Sequence, residues 1–348
     1  MYLLMTIGSL GDFIPFLALA DRLRQRGHRV VLASNAGYAG MAQALGIPFA
    51  AIWDRGSQSL DALIAQNPDK AWDAVREQMF VPATRPAQDC IRHHAAEPGL
   101  RVLACWTVFG ARLARSEFDF PLFTFYLSPG ALRQDAGSNQ TDETCIGLYP
   151  DWFGTNTGAI TQTGFVMLDD ALVPPLPAGL EAFLAEGPAP LLFTPGSFMR
   201  GADVFFAQSL AACEALGMRA VFLTPYSEQI PANLPASIRH ERYVPLERLT
   251  PRAALLVHHG GIGTCAQGLR AGIPQLVSPL FFDQKDNAER LITLGAGEIL
   301  AREHYAKTAL ADKMQSLMNS RQVKQNCAQL ASLVDHEALA RACALVES

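Results

Sequence analysis

Two doubly wound α/β domains, each built on a parallel sheet, are the fold class this sequence predicts. Three observations lead there. Short apolar runs alternate with stretches of helical periodicity, the alternation occurs as two separate series, and a proline-rich segment divides them. At 348 residues the chain is too long for one compact core. With 49% hydrophobic and 18% charged residues, it has ample material for sheets buried on both faces.

The first series begins with Tyr2 to Ile7, an apolar run suited to a buried parallel strand. Gly8-Ser9-Leu10-Gly11-Asp12 reads as a turn. From Pro15, the residues Phe16, Leu17, Ala20 and Leu23 recur at helical spacing, and Gly27 ends that helix. Arg29 to Ala33 is the next strand, Gly37 to Leu45 a second helix, and Pro48 to Ile52 a third strand. This is a βαβαβ unit. Residues 54–98 are more polar and read as helical. Arg101 to Cys105 and Pro121 to Leu127 are strands, with a helix over Ala111 to Glu117 between them. Ser128 to Asn139 has no clear pattern.

Pro174, Pro175, Pro177 and Gly179 mark the linker. Beyond it, Leu191 to Thr194, Arg219 to Leu223, Ala254 to His258 and Gln275 to Pro279 read as strands. Helices are expected over Asp203 to Leu216, Gly263 to Ala271, Asn287 to Leu294 and from Glu303 onward. The domains are therefore expected at 1–168 and 186–334, joined by a linker over 169–185. A last helix over 335–348 is expected to pack back on the first domain. Two such halves should enclose a ligand cleft.

The formal charge of −5, without any basic run, argues against a nucleic-acid partner. Cys90, Cys105, Cys145, Cys213, Cys265, Cys327 and Cys343 are scattered and form no Cys-x-x-Cys pair. Neither a disulfide framework nor a zinc site suits them, and a reduced, cytoplasmic compartment is expected. The apolar start could pass for a signal peptide ending in Ala18-Leu19-Ala20. No Lys or Arg precedes it, and Gly8, Gly11, Asp12 and Pro15 interrupt it, so strand and helix are the better reading. His28, His93, His94 and His240 match no familiar metal-ligand spacing, and no metal is expected.

The strongest chemical signal is Val257-His258-His259-Gly260-Gly261-Ile262-Gly263-Thr264, between a strand and a helix. Glycines admit close backbone approach, and the N–H groups opening a helix favour an anion. A diphosphate fits, with the helix dipole and His258 offsetting its charge. A tight turn that merely needs glycine remains the alternative. Farther on, Asp283 and Gln284 are compact groups suited to bonding sugar hydroxyls at a strand's carboxyl end. Helix capping would equally explain Asp283 taken alone. Asp12 follows the first strand and reads either as the orderer of its turn or as a general base.

In order and spacing, His258-x-Gly260-Gly261-x-Gly263-Thr264, Ala271-Gly272-x-Pro274 and Asp283-Gln284-x-x-Asn287-Ala288 resemble family-one glycosyltransferases of the GT-B fold. The resemblance implies that His258 and the backbone of Gly261, Ile262, Gly263 and Thr264 contact the donor diphosphate. It implies that Asp283 and Gln284 hold the donor sugar. Gly196-Ser197 corresponds to a Gly-Ser that touches the phosphates, and Tyr243-Val244-Pro245 to a segment whose aromatic stacks on the nucleobase. A core tyrosine is the other reading of Tyr243. Gly8-Ser9-x-Gly11-Asp12-x-x-Pro15 resembles bacterial lipid, sterol and antibiotic glycosyltransferases. Plant-type relatives carry a catalytic His at the place of Asp12. Asp12 would then take the acceptor's proton as its oxygen attacks the anomeric carbon opposite the leaving diphosphate, an inverting reaction. The Asp-x-Asp of the other, metal-dependent glycosyltransferase fold is absent, Glu117-Phe118-Asp119 being its nearest echo.

Gly110-Ala111-Arg112-Leu113-Ala114, Leu127-Ser128-Pro129, Tyr149-Pro150-Asp151-Trp152-Phe153 and Asp286-Asn287-Ala288-Glu289-Arg290-Leu291 are similar to rhamnosyltransferases of rhamnolipid synthesis. That likeness implies dTDP-rhamnose as donor and a hydrophobic hydroxylated acceptor, and it leaves peripheral membrane association open. A UDP-glucose-dependent sterol or antibiotic glucosyltransferase is the nearest alternative. A sugar-nucleotide epimerase and a non-catalytic glycosyltransferase helper are alternatives of other classes. Relatives have several tens more residues where this chain has only Gly130 to Leu148, so a shortened or missing segment is expected near Ser138 to Asp142. By position alone, Phe13, Trp106 and Phe109 are candidates for the acceptor site.

Overall fold

A computed structural model describes residues 1–54, 71–135, 143–155 and 160–348. It divides into two units, Met1–Leu168 with Asp335–Ser348, and Asp169–Val334.

In the first unit seven parallel strands pair in the order β3-β2-β1-β4-β5-β6-β7. They are β1 Tyr2–Met5, β2 Val30–Asn35, β3 Phe49–Trp53, β4 Arg101–Cys105, β5 Leu122–Tyr126, β6 Thr144–Gly147 and β7 Ile160–Gln162. Strand order reverses between β1 and β4, so the segments that follow these two strands emerge side by side, where open α/β sheets bind ligands. Leu3, Leu4 and Met5 are wholly buried, which makes the apolar start the centre of a sheet. The helix Leu10–Gln25 begins earlier than its periodicity suggests and carries Pro15 inside it. Asp12 therefore sits in a helical first turn rather than in a loop. The helices Ala71–Val75 and Val81–His94 are joined by a π-helical stretch, Arg76–Phe80. The remainder of the expected helical region, 55–70, lies outside the described residues.

β6 and β7 have no counterpart in the sequence reading, because runs this short have no usable periodicity. The expected join at Ser138 to Asp142 also lies outside the described residues. Its flanks are tied together: the Arg112 guanidinium bonds both Asp135, at 2.7 Å, and Glu143, at 2.8 Å. The Tyr126 hydroxyl donates to the same Asp135 carboxylate at 2.6 Å.

The helix Ala338–Glu347 lies against Leu10–Gln25, with Glu347 bonding Arg26 and His28. Arg341 donates to the Thr163 carbonyl, and Tyr2 OH to the Val346 carbonyl. The last residues of the chain thus belong to the unit that contains the first.

The second unit has six parallel strands in the order β10-β9-β8-β11-β12-β13. They are β8 Leu191–Thr194, β9 Ala220–Leu223, β10 Ile238–Glu241, β11 Leu255–His258, β12 Gln275–Val277 and β13 Gly297–Ile299. Both faces are covered. Leu255 and Val257 pack with Phe206, Leu310 and Met314, whereas Leu256 packs with Leu180, Val221 and Leu249. Leu180 lies on a helix, Ala178–Ala185, so the latter part of the expected linker is a packed layer of this unit instead. Its Pro-rich beginning concealed the apolar face that follows. Here the order reverses between β8 and β11, which brings Gly196 and the glycine turn to adjacent strand ends. Among the described residues no helix is long and apolar enough to cross a membrane.

Candidate functional site

The glycine turn is built by packing rather than by flexibility. Gly260 holds φ at +91°, and a Cβ there would lie 2.8 Å from the Gln284 carbonyl oxygen and 2.9 Å from Val277 Cγ1. Gly261 caps the helix Ile262–Ala271 and has no side chain with which to bond that helix start. The N–H groups of Thr264 and Cys265 both reach the Gly261 carbonyl at 3.0 Å. The earlier amides of the first turn have no carbonyl within the helix, so this end is chemically suited to an anion.

His258 closes β11 and is fully buried. Its Nδ1 accepts the Gly260 N–H at 3.1 Å, which puts the proton on Nε2, a buried atom beside the Gln275 side chain. Burial, and then the neighbouring His259, push its pKa down to about 3. The ring is held neutral near pH 7 by this burial. Through its Nδ1 the ring shapes the turn.

His259, which no sequence argument singled out, packs between the two glycine segments. A Cβ on Gly196 would lie 3.0 Å from its ring, and one on Gly261 only 2.4 Å from its Nε2. Gly196, at φ +102°, and half-buried Ser197 thus adjoin the glycine turn, so the structure brings the two predicted phosphate segments together. Burial pushes the His259 pKa down to about 4.

Asp283 precedes the helix Gln284–Thr293 but does not cap it with its side chain. Its Oδ2 instead accepts from Asn287 Nδ2 at 3.0 Å, and the same nitrogen donates to the Gly260 carbonyl at 3.0 Å. Gln284 Oε1 accepts the N–H groups of Leu280, at 2.9 Å, and Phe281, at 3.3 Å. That bonding orients the amide, with its oxygen held by the loop and its NH2 as the end that can meet a ligand. Between Phe281 and Asp283, Phe282 adopts φ +56°, strained for a bulky side chain and held by this framework. Asp283 thus offers an acceptor and Gln284 a donor. Asn287 was legible only as a member of its motif, because its bridging depends on the fold.

In the first unit, Ser9 caps the helix Leu10–Gln25 and forms a capping box with Asp12. Asp12 Oδ2 accepts from Ser9 N–H at 2.7 Å and Ser9 Oγ at 2.9 Å. A Cβ on Gly8 would lie 2.3 Å from that oxygen, which explains the glycine four residues before the aspartate. The carboxylate is half-buried near the end of β4. Burial, then Asp12, push the Cys105 thiol up to about 12. Asp12 does order its turn, and the same bonds fix the direction of its carboxylate.

Tyr243 is 51% exposed, so it is not a core tyrosine, whereas Val244 is buried in the core with Leu249 and Leu256. The side chain of Val244 is therefore unavailable to a nucleobase. Phe13 is fully buried and stacked on Tyr38, and Trp106 is buried and stacked on Trp72 at 5.6 Å. Neither is openly presented to an acceptor, because neighbouring aromatics cover them. Phe109 is half-buried, edge-on to Phe80. Tyr38, Trp72 and Phe80 went unnoticed in the sequence, since only the fold gathers them.

Residues 2–87 match the glycosyltransferase family 28 N-terminal domain, and residues 220–344 match the C-terminal domain of erythromycin biosynthesis protein CIII-like proteins. The glycosyltransferase GtfC of Amycolatopsis orientalis is 35% identical over 161 residues, 46% of this chain and 37% of that protein. The chain thus spans little more than a third of the length of GtfC. The O-mycaminosyltylonolide 6-deoxyallosyltransferase of Streptomyces fradiae is 25% identical over 418 positions, covering 99% of this chain and 96% of the relative. That alignment is longer than the present chain, so the relative carries internal residues without counterparts here. The spinosyn rhamnosyltransferase SpnG superposes with a TM-score of 0.76 and 20% identity, covering 99% of each chain. SpnG has also been solved complexed with thymidine diphosphate and with spinosyn aglycone. At that identity the likeness speaks to the fold alone. The first half thus matches a glycosyltransferase N-terminal domain, the second half matches the C-terminal domain of erythromycin-CIII-like proteins, and the whole chain superposes on this two-sheet architecture, so the chain has the GT-B fold.

Proposed function

We propose that this chain is an inverting glycosyltransferase that moves a hexose from a nucleoside-diphosphate sugar to a hydroxyl of a hydrophobic acceptor. One observation carries the reading. A glycine-capped helix start, the Gly196-Ser197 segment and the Asp283–Gln284 acceptor–donor pair converge around a single glycine turn. The first two suit a pyrophosphate, and the pair suits a sugar's hydroxyl groups. Gly196, Ser197, Gly261, Ile262, Gly263 and Thr264 hold the diphosphate chiefly through backbone N–H groups. His258 serves the site through its Nδ1, which holds the Gly260 N–H and with it the shape of the turn. Exposed Tyr243 is the platform for the base.

Asp12 is the general base. It takes the acceptor's hydroxyl proton while that oxygen bonds to the anomeric carbon, and the bond from that carbon to the diphosphate breaks. The departing electron pair stays on the diphosphate, stabilised by the helix start without a metal. dTDP-rhamnose is the donor we favour, in keeping with a relative that is a rhamnosyltransferase solved with thymidine diphosphate. The macrolide names among the relatives move the acceptor from a hydroxy-fatty ester toward a natural-product aglycone.

A thermal-shift screen against dTDP, UDP and GDP tests this, because a ligand that binds only the folded state raises its melting point. One nucleotide at a hundred times its Kd should add about 2.7 kcal/mol. A flat response to all three would sink the reading.

A further inference from the structure

We propose that Asn287 is the positioning residue that sets the Asp283 carboxylate for the donor sugar and ties it to the turn that takes the diphosphate. The inference rests on the donor-site reading above and deepens it.

Asn287 is 0% exposed and touches no solvent. It lies one helical turn beyond Asp283, and its own N–H donates to the Asp283 carbonyl at 2.8 Å. Its Nδ2 makes two bonds of 3.0 Å, one to the Gly260 carbonyl and one to Asp283 Oδ2. Among the described residues its Oδ1 is buried without a partner. A buried acceptor left unmatched is costly, and an apolar side chain of the same size would avoid that cost. What only the amide supplies is the pair of donors. Aspartate would set a carboxylate against a carbonyl and a second carboxylate, serine could donate only once, and leucine not at all.

The arrangement also explains why Asp283 does not cap its helix. The carboxylate is drawn aside to Asn287, while Gln284 holds Leu280 and Phe281, and strained Phe282 bridges the two. Gly260 keeps a second tether, its N–H on His258 Nδ1, so the turn does not depend on Asn287 alone. Losing Asn287 should therefore release the sugar-facing carboxylate more than the phosphate-facing turn.

The test is calorimetry with dTDP against dTDP-rhamnose, and UDP against UDP-glucose, on wild type, Asn287→Leu and Asn287→Ser. For the sugar nucleotide that wild type binds, Asn287→Leu should lose about tenfold to a hundredfold in affinity, as expected for one hydrogen bond to a charged group. The bare nucleotide should lose less than about threefold. Asn287→Ser, which keeps one donor, should fall between, and it decides the matter if the leucine variant does not fold. In an Asp283→Ala background, Asn287→Leu should change sugar-nucleotide affinity by less than about threefold, because its effect passes through that carboxylate. Equal weakening of nucleotide and sugar nucleotide, or no weakening of either, overturns the proposal while leaving the donor site standing. Wild type that binds none of the four compounds overturns the donor-site reading, and this inference with it.

Discussion

Replacing Asp12 by asparagine separates the two roles its geometry allows. The substitution keeps an oxygen where Oδ2 accepts from Ser9 N–H at 2.7 Å and Ser9 Oγ at 2.9 Å, so the capping box survives. What is lost is one negative charge at the start of a 16-residue helix, about 0.3–1 kcal/mol. In a unit of this size that lowers the melting point by about 1–4 °C. A residue that only orders its turn would therefore leave turnover nearly intact. A general base loses its function outright, since an amide takes up no proton. General-base catalysis contributes roughly 100- to 10,000-fold, so turnover should fall at least ~100-fold, or about 2.7 kcal/mol of barrier. The assay is nucleoside-diphosphate release from the donor selected by the thermal-shift screen, run with a panel of hydroxylated aglycones. Calorimetry with the same donor should show affinity within about threefold of wild type. Undiminished turnover in a folded Asp12→Asn protein would refute the catalytic assignment and leave Asp12 a capping residue.

Two further outcomes bear on the second unit. Gly260→Ala places a methyl 2.8 Å from the Gln284 carbonyl at φ +91°, so it should destabilise the unit by more than about 1 kcal/mol and weaken nucleotide binding. Thermal unfolding with and without dTDP reads both effects, and wild-type values would mean that the turn is not held as described. The buried His258 also makes stability depend on pH. Its folded pKa of about 3 lies below the ~6.5 of the unfolded chain, so the unfolded state binds the extra proton between those values. Stability is complete above about pH 6.5 and falls with acidification, by roughly 2 kcal/mol at pH 5 from this group. His258→Asn should lose correspondingly less between pH 7 and pH 5, and melting curves with the same slope as wild type would contradict a buried neutral ring.

Local pattern alone carried much of this molecule. Parallel strands buried on both faces read as apolar runs, and the glycine turn, the Asp283–Gln284 pair and the Gly8–Asp12 segment each lie within a few residues of chain. Both βα series, and the placing of those motifs at strand ends, followed from that. Four strands did not. β6, β7, β10 and β13 are three or four residues long and partly polar, as in Ile238-Arg239-His240-Glu241, and they exist because a neighbouring strand offers hydrogen bonds. The state of each site group was likewise settled only by tertiary packing. His258 is neutral because the fold strips it of water, Val244 is core because β11 lies beneath it, and Gln284 is oriented by its own loop. His259 and Asn287 matter through groups more than 25 residues away in the chain, Gly196 and Gly260 respectively. Periodicity and spacing report what near neighbours share. Desolvation and bonds between distant segments arise only once the chain has folded.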